Sequence, residues 1–126
     1  MTKLQAQLED LEKAFIRLKE ACGMESTVMN QDATIKRYEF TFEMSWKVMQ
    51  SIEKGNTINV YGVKNIIREA AKLDLIDDPA DWFKFLEARN YTVHTYNEET
   101  AQFVYKKAKE FIPYVEELLI KAKNYL

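Results

Sequence analysis

The apolar positions of the chain recur every three or four residues almost from end to end, and this is the period of the α-helix. Leu4, Leu8, Leu11, Phe15 and Leu18 form one stripe, predicting an amphipathic helix over residues 3–22 with Gly23 as its stop. Ser26, Thr27 and Asn30 are candidate caps for a second helix over about 31–54. That helix carries two apolar rows, Ile35, Tyr38, Phe42, Trp46 and Met49 beside Phe40, Met44 and Val48, which predicts a central position. A third helix is expected over about 62–73, with Val63, Ile66, Ile67, Ala70 and Ala71 inward. Asp78 followed by Pro79 marks a fourth start, for a helix carrying Trp82, Phe83, Phe85, Leu86 and Val93, with Arg89 near its far end. Asn97, followed by Glu98 and Glu99, caps a last helix in which Pro113 predicts a kink or a division into two. The expected fold is a single all-α domain over 1–126, an up-and-down antiparallel bundle of four long helices and a shorter one.

Composition agrees with this picture and narrows the function. Three glycines and two prolines leave few turns for a β-sheet. The net charge of -2 gives no global basic field, so DNA is not an expected partner and any RNA contact is confined to a local patch. A single cysteine, Cys22, offers no internal disulfide and fits a reducing cytoplasm. No apolar run has the length of a membrane span or the form of a signal peptide. One histidine and one cysteine far apart do not make a metal centre, and no cofactor motif is present. Sixteen aromatic residues are many for so small a bundle, and part of that surface is expected between subunits of a homodimer.

The candidate chemistry lies in Arg89-Asn90-Tyr91-Thr92-Val93-His94-Thr95-Tyr96, which holds the sole histidine and one of four arginines. Arg89 presents a planar cation suited to phosphate oxygens, and histidine exchanges protons near neutral pH. Helical spacing puts Arg89 with Val93 on one face and Asn90 with His94 on the next. The competing reading makes His94 and Tyr96 helix-end residues and pairs Arg89 with an acid. On the second helix Glu39, Glu43 and Lys47 are four apart, the spacing of a solvent-facing salt-bridge ladder. A sharper alternative has Glu43 orienting Arg89 or His94.

The segment Arg89–Tyr96 matches the R-x(4–6)-H-x-Y signature of the HEPN superfamily. The longer run from Glu87 to Glu99 resembles its nucleotidyltransferase substrate-binding branch, related to the HepT toxins. Arg37 to Lys47 is similar to the aromatic, acidic helix of that family, and Ile67-Arg68-Glu69-Ala70, Leu75-Ile76 and Trp82 follow in the same order. The resemblance implies a helical homodimer partnered by a separately encoded minimal nucleotidyltransferase. It also implies a nucleotide- or RNA-binding cleft at the dimer interface. In the toxin branch the motif's Arg and His carry metal-independent RNase activity, and the partner adds AMP to the motif tyrosine. By position the catalytic roles fall on Arg89 and His94, the modification on Tyr96, and binding roles on Asn90, Tyr96, Arg37 and Glu43. Metal-free RNA cleavage needs a base, an acid and a cation on the phosphorane. One chain supplies one histidine, so the chemistry asks for two chains.

Overall fold

The computed structural model describes all 126 residues. It has five α-helices: α1 (Lys3–Cys22), α2 (Val28–Gly55), α3 (Val63–Lys72), α4 (Pro79–Asn90) and α5 (Glu98–Ala122). A short 3₁₀ turn, Tyr91–His94, follows α4. The all-α bundle is as the periodicity predicts, but three helices are long and two short, since α4 stops at Asn90 instead of continuing through Val93. The cause is local. The Thr92 hydroxyl donates to Arg89 O at 2.7 Å and the Thr95 hydroxyl to Thr92 O at 3.1 Å. Threonines bonded three residues back favour the tighter turn over another α turn.

Caps set the other boundaries. Thr2 closes a reciprocal capping box with Gln5 at the start of α1. Of the three candidate caps before α2, Thr27 is the one used, so the helix begins at Val28, three residues earlier than expected. Asp78 Oδ1 accepts from Ala80 N at 2.9 Å, and Asn97 Oδ1 from Thr100 N at 3.2 Å. Pro113 sits within α5, which continues as one helix instead of dividing. Pro113 and Lys109, whose carbonyl it leaves without an N–H partner, both lie on the exposed side of the helix.

Helix α2 lies at the centre and packs against all four others. Its partners meet around Phe111 of α5, whose ring centroid lies 5.2 Å from Tyr38, 5.2 Å from Trp82 and 4.8 Å from Phe85. All four rings are buried, and they form an aromatic cluster within the core. Within it the Tyr38 hydroxyl donates to Phe85 O at 2.6 Å. Burial pushes the phenol's pKa far up and keeps it a neutral donor. This bond pins α4 to α2, and it fixes where the next turn of α4 arrives.

Candidate functional site

Arg89 is one helical turn beyond Phe85 and Glu43 one residue beyond Phe42, so the pinned helices bring the two charges together. Arg89 Nε lies 2.9 Å from Glu43 Oε1. The contact is a close ion pair whose N–H is not aimed along it, because neither atom completes a hydrogen bond. The guanidinium carbon sits 5.6 Å from the Phe42 ring centroid, so the cation is also held against an aromatic face. Glu43 is fixed from its other side, where Trp46 Nε1 donates to Oε2 at 3.0 Å. Tyr38, Phe42 and Trp46 are thus the supports of Arg89. Of these the sequence offered only one pointer, the spacing of three between Glu43 and Trp46, which puts their side chains together on a helix.

Of the two readings of Glu43, the pairing with Arg89 is the one observed, and the ladder through Lys47 does not form. Lys47 instead lies 5.8 Å from the Trp46 ring, and Glu39 pairs with Lys36 at 3.8 Å. The competing expectation that Arg89 pairs with an acid is met as well, since that acid is Glu43.

Past Arg89 the chain turns outward. Asn90, Tyr91, Val93, His94 and Tyr96 are exposed, Val93 at 73% and Tyr96 at 86%. The 3₁₀ turn replaces the helical spacing, so Arg89 with Val93 and Asn90 with His94 no longer share α-helical faces. His94 Nδ1 and the Tyr96 hydroxyl stand 3.5 Å apart with their rings nearly perpendicular. The corner is secured beneath them by Asn97 N donating to His94 O at 3.1 Å and by Tyr91 edge-on to Phe103, 5.7 Å between centroids. Beside it runs an open groove of about 440 Å³ lined by Asp32, Ile35, Lys36 and Glu39 of α2 and by Thr92, Thr95 and Tyr96.

The structure therefore joins Arg89 to Glu43 and His94 to Tyr96, on one corner. It does not bring Arg37 there. Arg37 Nη1 donates to Arg17 O at 2.8 Å, and the residue lines a different groove, between α1 and α2. The end of α4 thus carries an anchored cation, and the turn that follows carries an exposed imidazole–phenol pair, residue types suited to holding a phosphate and exchanging protons. No grouping of three or more metal-ligating side chains occurs in the chain, and no helix is long and apolar enough to cross a membrane.

The model of the family described as "nucleotidyltransferase substrate binding protein like" matches residues 6–124. The chain belongs to that family. A Haemophilus influenzae protein named probable ribonuclease HepT is 37% identical over 83 residues, 62% of this chain. The matched stretch spans 57% of that relative, little more than half its length. The crystal structure of a Thermus thermophilus protein superposes with a TM-score of 0.83 at 30% identity, covering 90% of this chain and 98% of that one. A second structure, from Haemophilus influenzae, is described as revealing the fold of a substrate binding domain of a nucleotidyltransferase. It matches with a TM-score of 0.71 and 29% identity, over 95% of this chain and 96% of its own. Membership of this nucleotidyltransferase substrate-binding, HepT-like family agrees with the resemblance read from Arg89–Tyr96 and its companion motifs.

Proposed function

We propose that this chain is the substrate-binding subunit of a separately encoded minimal nucleotidyltransferase, in a two-component system of the toxin–antitoxin kind. In this reading it works as a homodimer whose two Arg89–Tyr96 corners face each other across a nucleotide- or RNA-binding cleft. The observation that carries the reading is the corner itself. Arg89 is braced by Glu43, Phe42 and, through Glu43, Trp46, whereas His94 and Tyr96 in the turn that follows are left open. Rigid support under an exposed reactive pair is what a site needs that is completed by a second surface. Asn90 stands at the same exposed end of α4 and adds an amide to the cleft. Tyr96 is the acceptor for AMP in this reading, and its exposure leaves the hydroxyl within reach of a partner's active site. The test is light scattering of the chain mixed with its nucleotidyltransferase. A homodimer that forms a defined complex is expected. A monomer that forms none overturns the proposal.

A second reading is favoured by the lone exposed histidine and by the ribonuclease named among the relatives. Here the dimer cleaves RNA. A 2′-hydroxyl attacks the adjacent phosphorus and the bond to the 5′-oxygen breaks, leaving a 2′,3′-cyclic phosphate. His94 of one copy takes the hydroxyl proton, the other copy's histidine protonates the leaving oxygen, and Arg89 carries the phosphorane charge. Cells expressing the chain alone then arrest growth, and cells expressing His94→Ala do not. Equal growth of both overturns this second reading and leaves the first.

A further inference from the structure

An open groove of about 500 Å³ runs between α1 and α2, and neither Arg89 nor Glu43 lines it. Lys13 and Arg17 of α1 face Lys36 and Arg37 of α2 across it, with Asp10 the sole acid in its lining. In a chain whose net charge is negative, this is a local reversal of sign. None of Lys13, Arg17 and Arg37 takes part in an ion pair. Arg37 spends one nitrogen on Arg17 O and keeps the rest of its fork free. Phe40 lines the groove too and is 49% exposed, with Met44 beside it.

Three uncompensated cations and a half-exposed aromatic ring suit one kind of occupant. Protein docking surfaces favour Arg, Met and aromatic residues but are depleted of lysine, and two lysines line this groove. A duplex keeps its bases stacked and away from such a ring. Single-strand sites combine the two features, cations along the backbone and a ring on which a base stacks. Lys36 lines this groove and also the one at Thr92, Thr95 and Tyr96, so the two depressions are neighbours on α2. The two depressions lie on adjacent faces of α2, with Lys36 on the ridge between them.

We propose that the α1–α2 groove holds the backbone of a single-stranded RNA, with one base against Phe40, while a neighbouring stretch of the same strand reaches the His94–Tyr96 corner. The proposal rests on the reading of that corner as a nucleotide or RNA site, and adds to it an anchor that the motif does not contain.

The test is fluorescence anisotropy of a labelled oligouridylate against the full chain over a range of salt concentrations. The variants are Lys13→Gln/Arg17→Gln, Phe40→Ala and His94→Ala. Lys13 and Arg17 are exposed, and the Arg17 carbonyl that Arg37 uses is retained, so the double variant keeps its fold. Each phosphate contact on a single strand contributes roughly 0.7 to the slope of log affinity against log salt. The double variant is expected to lower that slope by about 1.4 and to weaken binding, and Phe40→Ala to weaken it at least about fivefold with the slope unchanged. Unchanged affinity and slope in the double variant overturn the proposal, as does a wild type without salt-dependent binding. A double variant that binds RNA normally but loses self-association or its nucleotidyltransferase also overturns it, and makes the groove a protein contact. Complex formation with the nucleotidyltransferase, measured on the same samples, reports separately on the function proposed above.

Discussion

Replacing Glu43 by Gln should loosen Arg89 without touching the motif, and the size of the effect follows from the contacts. The Glu43–Arg89 pair is partly buried, with side chains 32% and 26% exposed. Fully exposed pairs contribute about 0.2–1 kcal/mol, and hydrogen bonds to charged groups about 1.5–3. A close but poorly aligned pair at intermediate burial belongs between them, near 1 kcal/mol. Glu43→Gln removes this term and keeps an oxygen for the Trp46 N–H, so it should cost about 1 kcal/mol. Glu43→Ala also strands the indole donor, for a total of about 2 kcal/mol. A domain of 126 residues gains roughly 2.1 cal/mol/K per residue on unfolding, so 1 kcal/mol is about 4 °C in Tm. Thermal melts followed by circular dichroism should then show drops of about 4 °C and about 8 °C. The double-mutant cycle with Arg89→Met isolates the pair, and a coupling of about 1 kcal/mol is expected. Coupling below about 0.3 kcal/mol would refute the claim that Glu43 braces Arg89.

Other positions give equally direct expectations. His94→Ala removes an exposed ring whose one side-chain partner is Tyr96, so Tm should move by less than about 2 °C; a larger fall in thermal melts would make the residue structural. Asn97→Ala deletes the cap of α5 next to the motif and should cost about 1 kcal/mol in urea titrations, whereas no loss would mean the cap is dispensable. Glu53 is fully buried with neither carboxylate oxygen hydrogen-bonded, and burial first, then the charge of Glu69, pushes its pKa up to about 8. Unfolded, it ionises near its ordinary value of 4.5, so across this window the folded carboxyl keeps a proton that the unfolded chain has released. Stability should therefore fall as pH rises from about 4.5 to about 8, and Glu53→Gln should flatten that part of the Tm profile. An identical slope in the variant would place the titration elsewhere.

The helices were legible because their signals are short-range. Asp78-Pro79 and Asn97-Glu98-Glu99 each state a cap within a few residues, and both caps form. The end of α4 was less so, since apolar spacing carried the expected helix through Val93. What stops it is a pair of threonine hydroxyls competing for backbone carbonyls. The site divides in the same way. Arg89, His94 and Tyr96 lie in one short stretch of sequence and could be named from the motif. Glu43 had two readings because its partner lies 46 residues away, and only the packing of α4 on α2 through Tyr38 and Phe111 chooses between them. Arg37 shares a helix with Glu43 but faces α1, a matter of which way α2 is rotated in the bundle. Phe40, expected inside with Met44 and Val48, is half-exposed for that reason too.

In the proposed function the exposed corner is where this chain meets its nucleotidyltransferase and their shared substrate. It is tested most directly by calorimetric titration of that partner into the wild-type chain and into His94→Ala, both confirmed folded by their melts. Loss of a central contact is commonly worth more than 1 kcal/mol, so the variant should bind at least about fivefold more weakly. Equal affinities would contradict the account and move the partner's docking site away from the Arg89–Tyr96 corner.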